Sequence, residues 1–136
     1  MSDTKPRRLD EQFVHLAPGA RVVVQPPFDG MSWYEDYGAR HGADGAEGRL
    51  VSMYVFDEDW DSWEMHPVGE EMVLCTAGHI VLIQENEDGS RRSVPLDAGE
   101  YAINPAGTWH TADVGTSATC VFITAGEGTE NRPRTD

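Results

Sequence analysis

The residues best equipped for chemistry lie between Trp60 and His110, in two short blocks. The first reads Trp63-Glu64-Met65-His66-Pro67-Val68-Gly69-Glu70-Glu71 and closes at Gly78. The second reads Gly99-Glu100-Tyr101-Ala102-Ile103-Asn104-Pro105-Ala106-Gly107-Thr108-Trp109-His110. Glu64 and His66 are two apart, so an extended strand sends both side chains from one face. Pro67-Val68-Gly69-Glu70 is a turn signal that would bring Glu71 back beside the pair. Pro105-Ala106-Gly107 is a second turn, placed just ahead of His110. Two imidazoles and two carboxylates delivered from strand ends make a ligand set for a divalent metal. Glu64 leaves three roles open: a fourth ligand, a general base beside the ion, or the partner of an arginine. Without it, His66, Glu71 and His110 form the two-His, one-carboxylate triad that suits iron(II) oxygenases. With it, the extra negative charge favours iron(II) or manganese, while zinc and nickel remain open.

The double block resembles the cupin superfamily. His66, Glu71 and Gly78 match the spacing of the first cupin motif, and Gly99, Pro105, Gly107 and His110 match the second. Glu64 stands where that family usually has its first histidine, and Val114 where an asparagine often follows the last one. The resemblance covers roughly residues 50–125. It implies an all-β fold, an antiparallel double-stranded β-helix or jelly-roll barrel, with a metal held inside by these residues. It implies a homodimer too, because N-terminal strands in this family often pair with a neighbouring subunit. The fold hosts many chemistries, so it does not choose one.

The elements that must position these residues are short strands. Fourteen glycines and eight prolines punctuate many brief apolar runs, which favours all-β packing. A chain of 136 residues is one domain able to bury a single core. Its division is expected to be N-terminal strands and a Gly-rich loop over 1–48, the barrel over 49–125, and a polar tail over 126–136. Phe13–Leu16 and Arg21–Gln25 read as strands split by Pro18-Gly19. Residues 26–48 read as an irregular stretch whose Gly-rich second half is a mobile loop, with His41 solvated in it. His15 has no partner at ligand spacing and is expected at a surface or edge. Further strands are expected at Arg49–Phe56, Trp60–His66, Glu71–Thr76, His79–Gln84, Arg91–Leu96, Tyr101–Ile103, Thr108–Val114 and Thr119–Thr124.

Net charge is −14, from 24 acidic and 10 basic residues. Such a surface repels phosphate backbones and anionic membranes, which argues against nucleic-acid and membrane partners. No segment has the length of a membrane span, and residues 1–8 lack an apolar signal core, so a cytoplasmic protein is expected. Cys75 and Cys120 sit in strand-like runs and are expected as buried thiols. The expected function is a metal-dependent small-molecule enzyme of dioxygenase, isomerase or cyclase type, its substrate entering the barrel mouth. The alternative is a non-catalytic cupin that senses a small ligand or a metal.

Overall fold

The computed structural model describes residues 5–135. Its strands are β1 (Val14–Ala17), β2 (Arg21–Val24), β3 (Arg49–Phe56), β4 (Ser62–Met65), β5 (Glu71–Glu85), β6 (Arg91–Asp97), β7 (Tyr101–Asn104), β8 (His110–Asp113), β9 (Ala118–Thr124) and β10 (Glu130–Pro133). All pair antiparallel. They form an open jelly-roll sandwich, in line with the fold that the resemblance implies. One sheet runs β2-β1-β3-β9-β5-β7, and the other is built from β10, β4, β8, β5 and β6.

β5 belongs to both sheets, and this is why the two runs expected at Glu71–Thr76 and His79–Gln84 are one strand. Glu71–Gly78 pairs with β9 and His79–Glu85 with β6, with a register shift between Cys75 and Ala77. Gly78 takes φ +77°, and a Cβ there would lie 2.2 Å from the Ser117 carbonyl oxygen. Only glycine fits that corner. The interior between the sheets is apolar: Val73, Cys75, Ile80, Leu82, Ala112 and Cys120 are fully buried. Cys75 and Cys120 are opposite each other across the β5–β9 ladder as free thiols. Burial, then the neighbouring Cys75, pushes the Cys120 thiol up to about 12.

The stretch expected to be a mobile loop is helical. α1 spans Ser32–His41 and a 3-10 segment follows over Gly42–Glu47. Trp33, Tyr37 and His41 recur at i, i+4 and i+8, which puts them on one face. That face docks on the inner side of β1 and β3. Trp33 meets Phe13 edge-on at 5.1 Å and stacks on Tyr37 at 5.4 Å, and Phe28 and Tyr54 complete the cluster. Tertiary packing holds this helix despite Gly38 and an N-terminus with no side-chain cap.

The polar tail stays largely exposed but contributes a strand, β10, paired along β4 through Asn131↔Glu64 and Arg132↔Trp63. Arg132 lies over both the Trp63 and Trp109 rings.

Candidate metal centre

Glu64 comes from β4, His66 from the residue just beyond it, Glu71 from the first position of β5 and His110 from the first of β8. Glu64 and His110 are direct cross-strand partners. The turn after His66 returns the chain at Glu71, so all four side chains converge at one end of the sandwich. His66 and His110 ring centroids are 5.2 Å apart. Glu71 Oε2 is 3.2 Å from His66 Nε2, and Glu71 Oε1 is 3.2 Å from His110 Nε2. Glu64 Oε2 lies 3.8 Å from each of the same nitrogens. One donor atom from each of Glu64, His66 and His110 lies within 4.8 Å of the other two. His66, Glu71 and His110 are buried, whereas the Glu64 side chain is 35% exposed.

Hydrogen bonds fix which nitrogen of each imidazole points inward. The Thr129 hydroxyl donates to the Gly126 carbonyl at 2.7 Å and lies 2.8 Å from His66 Nδ1, so it accepts from that Nδ1–H. His110 Nδ1 is 3.3 Å from the Thr108 carbonyl, which is an acceptor only. Both neutral rings therefore carry hydrogen on Nδ1 and turn an Nε2 lone pair toward Glu71. Both Nε2 atoms are buried without a hydrogen-bond partner. Two lone pairs facing one carboxylate at 3.2 Å are unfavourable unless a proton or a metal cation lies among them. The donor set fits a divalent ion.

Glu71 is held from behind. Asn104 Nδ2 donates to its Oε1 at 3.0 Å and Thr124 Oγ1 to its Oε2 at 2.6 Å. Asn104 is in turn fixed by Gln84 at 2.8 Å, and Gln84 by Arg92 at 2.6 Å. This chain runs from an exposed arginine to the centre of the site.

The titration of the group follows from its packing. Burial works to raise the Glu71 carboxyl, but His110 and His66 outweigh it and hold the group below the usual carboxylate range. Burial, then the charge of Glu71, pushes Glu64 upward against the pull of the two imidazoles. Burial opposes charge on His110, yet Glu71 and Glu64 hold it above the ordinary imidazole value.

Aromatic residues pack beside the site. Tyr34 of α1 hydrogen-bonds Tyr54 of β3 through their hydroxyls. Burial, followed by the charges of Glu64 and Glu71, raises the Tyr34 phenol. Trp60 stands against His110 at 6.3 Å and Phe122 at 6.1 Å, its indole N–H buried and unpartnered. An open groove of about 550 Å³ at the Glu85–Asp88 hairpin touches none of the four residues and offers no comparable donors.

Of the other histidines, His15 is 1% exposed, not at a surface or edge. Its Nδ1 is 2.6 Å from the Tyr37 hydroxyl and its Nε2 2.7 Å from Asp44. His41 stacks on it at 3.9 Å and is not a freely solvated loop residue. Thr129, Asn104 and Thr124, which hold the ligand candidates in place, were not singled out by the sequence. Asn104 had a signal, closing β7 one position before the Pro105 turn.

No family model and no curated protein matches the sequence. Solved structures do match in fold. An oxalate oxidase superposes with TM-score 0.51 at 20% identity, over 60% of this chain and 44% of its own. An oxalate decarboxylase gives TM-score 0.53 at 12% identity, over 71% of this chain and 26% of its own. A cupin superfamily protein from Desulfitobacterium hafniense DCB-2 gives 0.48 at 17%, over 56% and 65%. This chain thus spans less than half the length of the oxalate oxidase. The likeness to the oxalate oxidase and the oxalate decarboxylase is one of fold, an antiparallel jelly-roll sandwich.

Proposed function

We propose that this protein is a metal-dependent cupin enzyme acting on a small molecule, with His66, His110, Glu71 and Glu64 as the ligands of a divalent ion. The observation that carries this reading is the pair of buried Nε2 lone pairs, locked inward by Thr129 and Thr108 with no protein donor to satisfy them. A buried nitrogen left unpaired costs about 1–3 kcal/mol, and a bound cation removes that cost at both rings. Iron(II), manganese, zinc and nickel all accept such nitrogen and oxygen donors. When bound, the ion supplies Lewis acidity toward a carbonyl or enolate, or a meeting point for dioxygen and substrate.

The chain's own residues divide the remaining work. Asn104 and Thr124 keep both Glu71 oxygens oriented toward the imidazoles. The aromatic wall from Tyr54, Trp60 and Phe122 keeps bulk water from the inner side of the group. Glu64, at 35% exposure the most open of the four, is the residue an incoming substrate meets, and off the ion it is placed to exchange a proton with it. The substrate is a neutral carbonyl or enolisable compound, since the surface is strongly acidic. The protein acts as a homodimer in the cytoplasm.

The test measures metal content and turnover together. Protein purified with neither added metal nor chelator should carry close to one ion per chain by elemental analysis. Glu64→Gln separates its roles: a ligand loses metal, whereas a proton carrier keeps it and loses turnover by about 10²–10⁴-fold. Metal present with no turnover on carbonyl and enolisable candidates would point to a sensor, and wild type with no metal would overturn the assignment.

A further inference from the structure

One oxygen of Glu71 is served by a hydrogen-bond relay that begins at the protein surface. Strand register sets up its members. Arg92 of β6 is directly opposite Gln84 of β5, Gln84 is opposite His110 of β8, and Asn104 of β7 is opposite Glu71. Directly opposed residues share a face, so Arg92, Gln84 and His110 leave their sheet on the same side. Arg92 is exposed, whereas Gln84 is 3% and Asn104 1% exposed. Arg92 Nε donates to Gln84 Oε1 at 2.6 Å, Gln84 Nε2 to Asn104 Oδ1 at 2.8 Å, and Asn104 Nδ2 to Glu71 Oε1 at 3.0 Å.

The direction of every link is forced. A guanidinium only donates, so the oxygen of the Gln84 amide must face Arg92. The Ile103 carbonyl only accepts, and it receives the other Gln84 Nε2 hydrogen at 2.9 Å. Both constraints fix Gln84 the same way round. Asn104 must then turn its oxygen to Gln84 and its nitrogen to Glu71. Reversed, it would press a carbonyl oxygen against a carboxylate oxygen. The oxygen so protected, Oε1, is the one that lies 3.2 Å from His110 Nε2. Glu71 Oε2 is held by Thr124, whose hydroxyl rotates and serves as donor or acceptor alike, so it imposes no direction. The relay does. Space filling alone would not call for it, since apolar groups of the same shape fill an interior without polar atoms to satisfy. Amide dipoles aligned between a cation and an anion reinforce one another in buried surroundings.

We infer that Arg92 and Gln84 are positioning residues of the metal centre, acting through Asn104 to keep a donor, and never an acceptor, on the Glu71 oxygen beside His110. The inference rests on the metal-centre reading above and extends the site to a residue at the surface. With the relay intact, Glu71 is held where one oxygen faces each imidazole. Arg92 bonds Gln84 and Asn86 and none of the four ligand candidates, so its effect reaches the centre through the amides.

Cobalt(II) alone, titrated into the metal-stripped full chain, tests this by its affinity and by the position of its visible absorption band, which moves when a ligand oxygen moves. Gln84→Glu keeps the shape but cannot donate, so Asn104 must turn over. Affinity is expected to fall about 10–100-fold, with a shifted band. Arg92→Met keeps the apolar stem and removes the donor at an exposed position, where folding is not at stake. It is expected to cost about 10-fold and to shift the band the same way. Arg92→Lys restores a donor and the charge, and should recover both readings. Arg91→Met removes the same charge one residue away, on the opposite face of β6, where Arg91 lies 4.8 Å over the Trp63 ring. It should leave affinity and band as in wild type. Unchanged affinity and band in Arg92→Met, while wild type binds cobalt, would overturn the inference and leave the metal centre standing. An equal loss in Arg91→Met would overturn it too, by tracing the effect to net charge. A wild type that binds no cobalt would bring down the metal-centre reading and this inference with it.

Discussion

Two histidine clusters in this molecule share the same ingredients and reach opposite ends. His66, His110 and Glu64 bring donor atoms within 4.8 Å of one another, and so do His15, His41 and Asp44. Residue type and proximity do not separate them. Hydrogen bonding does. His15 receives the Tyr37 hydroxyl on Nδ1 and donates from Nε2 to Asp44, so both of its nitrogens are already used. His41 accepts from Gln25, whose amide is oriented by Arg40. Its ring lies nearly parallel to His15, at 17°, so in-plane lone pairs run side by side and do not converge. At the other cluster the rings are tilted by 41° and both inner nitrogens are unpartnered. A buried histidine is a ligand candidate when its outer nitrogen is tied and its inner one is left over. The N-terminal cluster is a clamp that fastens α1 and the 3-10 segment to β1.

The largest effect that could break this contrast comes from alanine substitution on each side. His66→Ala and His110→Ala should abolish metal binding with little change in far-UV circular dichroism. His15→Ala should retain full metal content but lose about 2 kcal/mol of stability, because the Tyr37 hydroxyl and Asp44 lose a buried partner. Gly48 leaves no slack there, since a Cβ on it would lie 2.7 Å from His15 Cε1. Metal loss in His15→Ala would show that the clamp is part of the centre.

The four ligand candidates and nearly every strand were legible in the sequence. Period-2 alternation and turn residues are local signals, and Pro105-Ala106-Gly107 fixes the entry of His110 whatever the rest of the chain does. The tautomer-setting partners were not legible. Thr129 lies 63 positions from His66, and Thr124 lies 53 from Glu71. Only the pairing of β10 with β4 and of β9 with β5 brings them together. The helix was hidden by Gly38 and by the glycines of the segment that follows it, although Trp33, Tyr37 and His41 carried a helical period. His15 was misjudged because its partners come from that same unrecognised helix and the segment behind it.

A smaller effect sharpens the contrast from behind the site. Thr124→Val and Asn104→Leu each remove one hydrogen bond that orients Glu71 and leave every proposed ligand in place. Each should weaken metal affinity by about 10–100-fold, the usual range for partners of metal ligands. Tyr37→Phe removes the matching bond in the N-terminal clamp and should leave affinity unchanged. Competition with a metal-binding dye reads all three. Equal affinity in wild type and Thr124→Val would mean that Glu71 is not oriented by its neighbours, or not a ligand.

The smallest expected effect is a few degrees of melting temperature, and its sign depends on whether metal is bound. In metal-free protein the folded Glu71 carboxyl is depressed, so its contribution is present above the ordinary 4.5 and is lost as pH falls through the folded value. His110 is raised, so its contribution is complete below the ordinary 6.5 and is lost as pH rises through the folded value. Stability from this pair is therefore greatest between those ordinary values and declines toward alkaline pH. Most carboxylates are already ionised by then, Glu64 being the exception. The decline accordingly reports on His110. A bound cation reverses it, since coordination needs the neutral imidazole and binding strengthens as the proton leaves. Melting curves across that range, with chelator and with metal in excess, should diverge as pH rises: downward without metal and upward with it. His110→Asn should flatten the metal-free curve. A metal-free melting temperature that stays level from the carboxylate range through neutrality would show that Glu71 and His110 do not share a proton.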